Sequence, residues 1–346
     1  MKIVKVDASK KYNVVLGRGL LAQCGGIVSE ALPPCRALVV TDDIVDTLYS
    51  KTVIASLSGS GFKCEKFVVE NGEKSKNGEN FFKLLEFLAE KQFHRSDAVI
   101  ALGGGVVGDL AGFAASSYMR GIKFVQIPTT LLAGIDSSVG GKTAINLSAG
   151  KNLAGSFYQP EIVVFDLDTL KTLDAENLAC GKGEAVKYAV IEGGDLFDIA
   201  ENGIDESNLE RLCGLCIEAK RDIVQSDETE QHQRKILNLG HTFAHAFEKQ
   251  SGYTLGHGQA VGAGIYEIAR ISNKNAWLSA KSYERIVKML AANGLAEFDF
   301  DREKLAESVV LDKKAGEDFV AFVVIDDIGK CRQEIVLSGK LGEFLK

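Results

Sequence analysis

Residues 98–120 read AVIALGGGVVGDLAGFAASSYMR, and this stretch decides the fold. The apolar run Ala98–Leu102 predicts a buried strand, three glycines (Gly103, Gly104, Gly105) interrupt it, and helical spacing follows with Asp109 in the first turns. A strand, a glycine turn and a helix start bring backbone N–H groups to one spot with the positive end of a helix behind them. That arrangement suits a pyrophosphate. The pattern is GGGVVGD rather than GxGxxG, and a glycine run by itself also serves a tight turn. The flanking strand and helix are what favour the phosphate reading.

Working outward, the same alternation recurs. Arg36–Thr41 (RALVVT) is a predicted strand ending at Asp42 and Asp43, a helix follows, and residues 63–70 (KCEKFVVE) form another strand. The loop NGEKSK puts Glu73 and Lys76 where a ligand outside the strand ends meets them, and residues 77–91 give an amphipathic helix. Downstream, Lys123–Pro128 (KFVQIP) delivers Thr129 and Thr130 at the carboxyl end of a strand, and EIVVFD at 161–166 is one more. Alternating strands and helices predict an α/β, Rossmann-like domain on a parallel sheet. Residues 134–155, rich in Gly and Ser, are expected to be a loop; Asp136, Lys142, Lys151 and Asn152 lie on it, and its lysines can grip phosphate or carboxylate.

Past Pro160 there is no proline and the period becomes mostly helical. The expected division is 1–170 for an α/β domain and 171–346 for a mainly α-helical domain, which the resemblance described below makes the NAD-binding domain and the metal- and substrate-binding domain. In GKGEAVKYAVI, Glu184 and Lys187 are three apart on one helix and project together. Lys220 and Glu230 precede Arg234, Asn238, His241 and His245, the last four at intervals that place them on one helical face. Three of only five histidines, His241, His245 and His257, fall in a short span. The His241–His245 spacing suits a divalent cation, and Gly256 and Gly258 suggest a tight turn bringing His257 back toward it. Two histidines, a carboxylate and an open position make a catalytic zinc site. Lys313 and Lys314 precede two expected strands.

Composition narrows the partners. A net charge of −7 and pI near 5.5 argue against nucleic acid or an anionic membrane. No apolar run approaches a membrane span, no signal peptide is expected, and seven scattered cysteines fit a reducing cytoplasm. Cys213 and Cys216 form a CxxC within a helical period, best read as two apolar thiols one turn apart.

GGGVVGDLAGFAASSYMRG, DSSVGGKTAIN, GKNLAGSFYQP, GEAVKY, DETE, NLGHTFAHAFE and HGQAV, in this order, resemble the 3-dehydroquinate synthases of the shikimate pathway. The resemblance covers nearly the whole chain. It implies NAD, one Zn2+ (or Co2+) ion and the substrate DAHP, a seven-carbon sugar-acid phosphate, in a homodimeric enzyme. By motif, the metal ligands would be Glu184, His241 and His257, with His245 on the substrate side. Substrate would meet Lys142, Asn152, Lys187, Lys220, Arg120, Arg234, Asn238, Asp136, Glu230 and one of Lys313 and Lys314. NAD would lie along Asp42, Glu73, Lys76, Gly104, Gly105, Val106, Asp109, Thr129, Thr130, Lys142, Lys151, Thr169 and Thr172. Gln259 departs from the family's usual glutamate, and Ala189 and Ala244 stand where glycine is common.

The implied reaction converts DAHP to 3-dehydroquinate by transient oxidation with NAD, phosphate elimination, re-reduction and intramolecular aldol closure. The alternatives are another sugar-phosphate cyclase, such as a 2-deoxy-scyllo-inosose synthase, and a metal-dependent alcohol or glycerol dehydrogenase. A noncatalytic NAD-binding regulator is disfavoured by the His/His/Glu set.

Overall fold

A computed structural model describes residues 1–252, 255–295 and 319–345. The chain forms two compact units: Met1–Leu173 with Lys220–Thr229, and Asp174–Ala219 with Glu230–Lys346. The division thus falls at 173/174 rather than at 170, and residues 220–229 join the first unit. They are held there by side chains: Lys220 pairs with Asp136, Gln225 accepts from the Asp7 amide at 2.8 Å, and Glu228 accepts from the Ser9 amide at 2.7 Å.

The first unit is built on β1 (Lys2–Asp7), β2 (Lys11–Gly17), β3 (Arg36–Asp42), β4 (Lys63–Val69), β5 (Ala98–Gly103), β6 (Lys123–Pro128) and β9 (Ile162–Asp166). Their order across the seven-stranded sheet is β1-β2-β9-β6-β5-β3-β4. β1 runs antiparallel to β2 and every other pairing is parallel, with Val39 opposite Ile100 and Ala101 opposite Gln126. The inner strands are mostly apolar because both faces are covered, as parallel sheets require, with Thr41 and Gln126 among the buried polar exceptions.

Alternate residues feed two cores. Val39, Ile100, Val125 and Val164 face α1 (Cys24–Ala31) and α2 (Lys51–Gly59). Leu38, Val40, Val99 and Phe124 face α3 (Gly78–Glu90) and α4 (Gly105–Ser117). The edge strand β1 instead alternates between exposed and buried positions, and β4 is exposed or half-buried up to the buried Val69. The carboxyl ends of β3, β5 and β6 deliver Asp42, Gly103 and Thr129 to one rim of the sheet.

The expected loop at 134–155 is ordered structure. Ala133–Ser137 forms a wide helical turn, and β7 (Lys142–Leu147) and β8 (Gly150–Phe157) form an antiparallel hairpin. Its glycines serve close approach, not looseness: a Cβ on Gly155 would stand 2.2 Å from the Thr143 carbonyl oxygen across the ladder.

The second unit is mainly helical. It contains α5 (Ala175–Glu192), α6 (Gly194–Glu201), the first part of α7 (Leu209–Ser226), α8 (His241–Gln250), α9 (His257–Lys274), α10 (Ala280–Ala292) and α11 (Leu341–Leu345). The Asp174 carboxylate caps α5 by accepting from the Asn177 amide at 2.7 Å. Antiparallel β10 (Phe319–Asp327) and β11 (Lys330–Leu337) are the two strands expected near the end. Cys213 and Cys216 are fully buried in α7.

The single helical face drawn through Arg234, Asn238, His241 and His245 does not form. Gln233–Asn238 is a short 3-10 helix, Gly240 takes φ +78°, and α8 starts afresh at His241. In a 3-10 helix of three residues per turn Arg234 and Asn238 point to different sides, so Arg234 is fully buried while Asn238 is exposed, and the left-handed Gly240 resets the phase again before His241.

Candidate functional site

In the second unit, three side chains from three helices converge. Glu184 lies in α5, His241 is the first residue of α8, and His257 is the first residue of α9 rather than part of a free turn. Glycines beside them let the backbones touch. A Cβ on Gly183 would stand 2.5 Å from the Gly258 carbonyl oxygen, and one on Gly258 would stand 2.2 Å from that of Ala179. A Cβ on Gly264 would stand 2.1 Å from the Gly240 carbonyl oxygen. Each converging residue therefore adjoins a glycine pressed against a neighbouring helix, which fixes its Cα more tightly than side-chain packing could.

His241 Nε2 lies 3.3 Å and His257 Nε2 lies 3.1 Å from the same Glu184 oxygen, Oε1. The donor atoms of all three lie within 4.8 Å of one another, the one such group among the described residues. Separations of 3.1 and 3.3 Å are close to the edges of a site whose ion sits about 2.0–2.2 Å from each donor. The outward nitrogens have their own partners: His241 Nδ1 is 3.2 Å from the Leu239 carbonyl, and His257 Nδ1 is 3.2 Å from Glu248 Oε1. With a proton on each Nδ1, both Nε2 lone pairs face Glu184. The donor set fits a divalent metal.

Charge around this group is balanced. Burial alone would raise the Glu184 carboxyl, but Lys187, in ion-pair contact with it, and His241 hold it well below the usual range. Burial of His257 opposes its protonation, yet Glu184 and Glu248 push it up to about 10. Lys187 is itself buried and lies 4.8 Å from the centre of the Tyr188 ring.

His245 does not join the donors. It is exposed on α8, its ring centre 6.1 Å from that of His241, so the i, i+4 pair is not a chelate and the carboxylate comes from another helix. Glu230 is half-buried with φ +59°. Lys313 and Lys314 lie outside the described residues. Gln259 is not a donor; it lines a cavity of about 360 Å³ with Ala175, Glu176, Ala179, Cys180 and Gly256.

In the first unit, Lys76 is buried between two partners, the Asp109 carboxylate and Asn152 Oδ1, the latter at 2.5 Å. Asn146 extends the network: its Nδ2 donates to Glu73 at 2.7 Å, and its Oδ1 accepts from the Asn152 amide at 2.9 Å. Glu73, Lys76 and Asp109, expected along NAD, are thus joined to Asn152, expected at substrate, through a residue the sequence reading passed over. Burial raises the Asp109 carboxyl to about 6 against the opposing pull of Lys76.

Gly104, Gly105 and Val106 lie at the turn into α4, half-exposed, with Thr130 beside Gly104. The Thr129 amide donates to the Gly103 carbonyl at 3.0 Å. Asp42 caps the chain beyond β3, accepting from the Ile44 and Val45 amides at 3.1 and 2.9 Å, which gives it a structural task. Tyr49 Oη contacts Thr172 and donates to the Thr169 carbonyl at 3.2 Å. Lys142, Lys151 and Asn152 are exposed on the hairpin, Arg120 is exposed at φ +65°, and Lys220 is buried against Asp136.

Sequence reasoning missed Glu248, Asn146, and the contacts of Gly183, Gly240 and Gly264. A glycine next to each of Glu184, His241 and His257 was the available signal.

An α/β unit with a glycine turn at its strand ends, and a helical unit with a buried Glu/His/His donor set, define the chain as an enzyme by class. Its relatives specify which. The 3-dehydroquinate synthase N-terminal family matches residues 66–180 and the 3-dehydroquinate synthase C-terminal family matches 181–315. The 3-dehydroquinate synthase of Desulforamulus reducens is 41% identical over 342 residues, covering 95% of each chain. A 2-deoxy-scyllo-inosose synthase solved with carbaglucose-6-phosphate, NAD+ and Co2+ superposes with a TM-score of 0.88 at 25% identity, covering 99% of each chain. The 2-epi-5-epi-valiolone synthase ValA of Streptomyces hygroscopicus, solved with NAD+ and Zn2+, gives 0.87 at 25% identity over 99% of this chain and 98% of its own. The chain belongs to the 3-dehydroquinate synthase family.

Proposed function

We propose that this chain converts DAHP to 3-dehydroquinate and phosphate, with NAD in the first unit and one divalent ion, Zn2+ or Co2+, held by Glu184, His241 and His257. The observation that carries the reading is the aim of two imidazole Nε2 atoms at one buried carboxylate oxygen, with each Nδ1 beside an acceptor. When bound, the ion supplies Lewis acidity at a substrate hydroxyl and NAD a reversible hydride acceptor.

The chain's own residues do the rest. The Lys187 ammonium keeps Glu184 ionised and donor-ready. Lys142, Asn152, Lys220, Arg120, Arg234 and Asn238 would hold the phosphate and carboxylate of the trianionic substrate, and His245 would hydrogen-bond it or move a proton. Asp136 fixes the Lys220 ammonium. Glu73, Lys76, Asp109 and the turn at Gly104–Val106 would hold NAD, with Thr129, Thr130, Lys151, Thr169 and Thr172 around it. Cations gathered at one substrate in an acidic protein offset the charge that builds as phosphate leaves.

The enzyme would act in the cytoplasm as a homodimer in aromatic amino acid biosynthesis. Metal-loaded protein with NAD is expected to release phosphate from DAHP with no net rise in NADH absorbance. Absence of phosphate release sinks the reading; release from glucose 6-phosphate instead would make it a different cyclase, and stoichiometric NADH a dehydrogenase.

A further inference from the structure

We propose that Glu248 is a positioning residue for the metal centre: its carboxylate orients His257 and sets how tightly the ion is held. This rests on the metal-centre reading above and goes beyond the three ligands.

Glu248 lies on α8 seven residues after His241, two helical turns along the same face. One helix therefore carries a ligand at its first residue and, near its end, the group that touches the other histidine ligand. The Glu248 side chain is only 11% exposed, and its Oε1 is 3.2 Å from His257 Nδ1. The rest of α8 is anchored by Phe243, Ala244, Ala246 and Phe247, all buried, so the carboxylate is presented from a rigid element. A buried carboxylate near a metal site needs a reason, because burying a charge without a partner is costly. The ring of His257, with Nδ1 at 3.2 Å, is such a partner.

The two histidines are supported unequally. His241 Nδ1 faces a neutral backbone carbonyl, that of Leu239. His257 Nδ1 faces a full negative charge, which fixes the Nδ1–H tautomer and makes Nε2 the more basic donor. The backbone of His257 is fixed by Gly258, pressed against Ala179 and Cys180, so what Glu248 adds is the orientation of the ring.

The test compares wild type, Glu248→Gln, Glu248→Ala and His241→Ala as apo full-length proteins, titrated with Zn2+ against a competing chelator and with Co2+ by visible absorption. Glu248→Gln keeps the shape and replaces the carboxylate with a neutral amide, so it separates orientation from folding; thermal unfolding of the apo forms and NAD affinity are followed in parallel. The expected result is metal affinity lowered about 10- to 100-fold in both Glu248 variants and a shifted Co2+ d–d band, with NAD affinity and the unfolding temperature of apo Glu248→Gln unchanged. Glu248→Gln binding both ions within about two-fold of wild type, with the same Co2+ spectrum, overturns the proposal, since outer partners of this kind are worth at least about tenfold. Wild type that binds no better than His241→Ala would instead overturn the metal-centre reading, and the proposal with it.

Discussion

The glycine turn of the first unit and the glycine seam of the second use the same residue for opposite ends. At the turn, a Cβ on Gly104 would meet the Thr130 methyl at 3.2 Å, and one on Gly105 would meet Ser137 Oγ at 3.1 Å. Both obstacles are side-chain tips that can rotate. At the seam, the obstacles are carbonyl oxygens and Cα atoms: Gly258 against Ala179 and Cys180, Gly183 against Gly258, Gly264 against Gly240. Backbone cannot step aside without moving a helix. At the turn, glycine leaves the backbone amides bare, as the nucleotide site proposed above needs, and at the seam it lets helices touch so that donors on them meet. A glycine's role is thus read from what its missing Cβ would strike.

This contrast can be broken or sharpened by substitution, beginning with the largest effect. His241→Ala removes a donor outright: metal binding and turnover are expected to disappear, while NAD affinity, measured by fluorescence titration, stays near wild type. Loss of NAD binding as well would mean that the two sites are not separable. Next comes Gly258→Ala, which forces a methyl onto the Ala179 carbonyl. It is expected to lower stability by about 1–3 kcal/mol, as overpacking does, and to weaken metal binding along with it. Denaturant unfolding and chelator competition read the two effects.

Lys76→Met addresses the first unit alone. It strips Asp109 and Asn152 of their shared, buried cation, so NAD affinity should fall and stability drop by about 1–3 kcal/mol, with Zn2+ affinity intact. The smallest effect belongs to Gly105→Ala. Ser137 can rotate, so stability should change by less than about 1 kcal/mol, because a small clash relieved by a rotamer change is cheap. NAD affinity should be the parameter that moves. If Gly105→Ala unfolded the protein as readily as Gly258→Ala, the distinction between yielding side chain and unyielding backbone would be wrong.

Much of the first unit could be read directly. AVIALGGG announces a buried strand and its turn because hydrophobic period and glycine placement are local properties, and the structure has β5, the turn and α4 there. The hairpin β7–β8 could not be read the same way, since Gly- and Ser-rich text describes a loop and a close-packed ladder equally well. In the second unit the i, i+4 histidines pointed to α8, but the face extended back to Arg234 failed at Gly240, where a positive φ ends the helical phase.

Local pattern by itself determined the identities of the chemistry: strand, glycines and helix in one half, histidines, Glu184 and Lys187 in the other. Periodicity works within a single element, where rise and rotation per residue are constant, and it has no reach beyond that element's end. The motif resemblance names Glu184, His241 and His257 together and sets His245 on the substrate side; tertiary packing supplied the distances at which Glu184 meets a histidine 73 residues away, and it alone decided that Glu248 touches His257. Those meetings depend on where helix backbones cross, and the crossings are set by which glycines lack a Cβ at the point of contact.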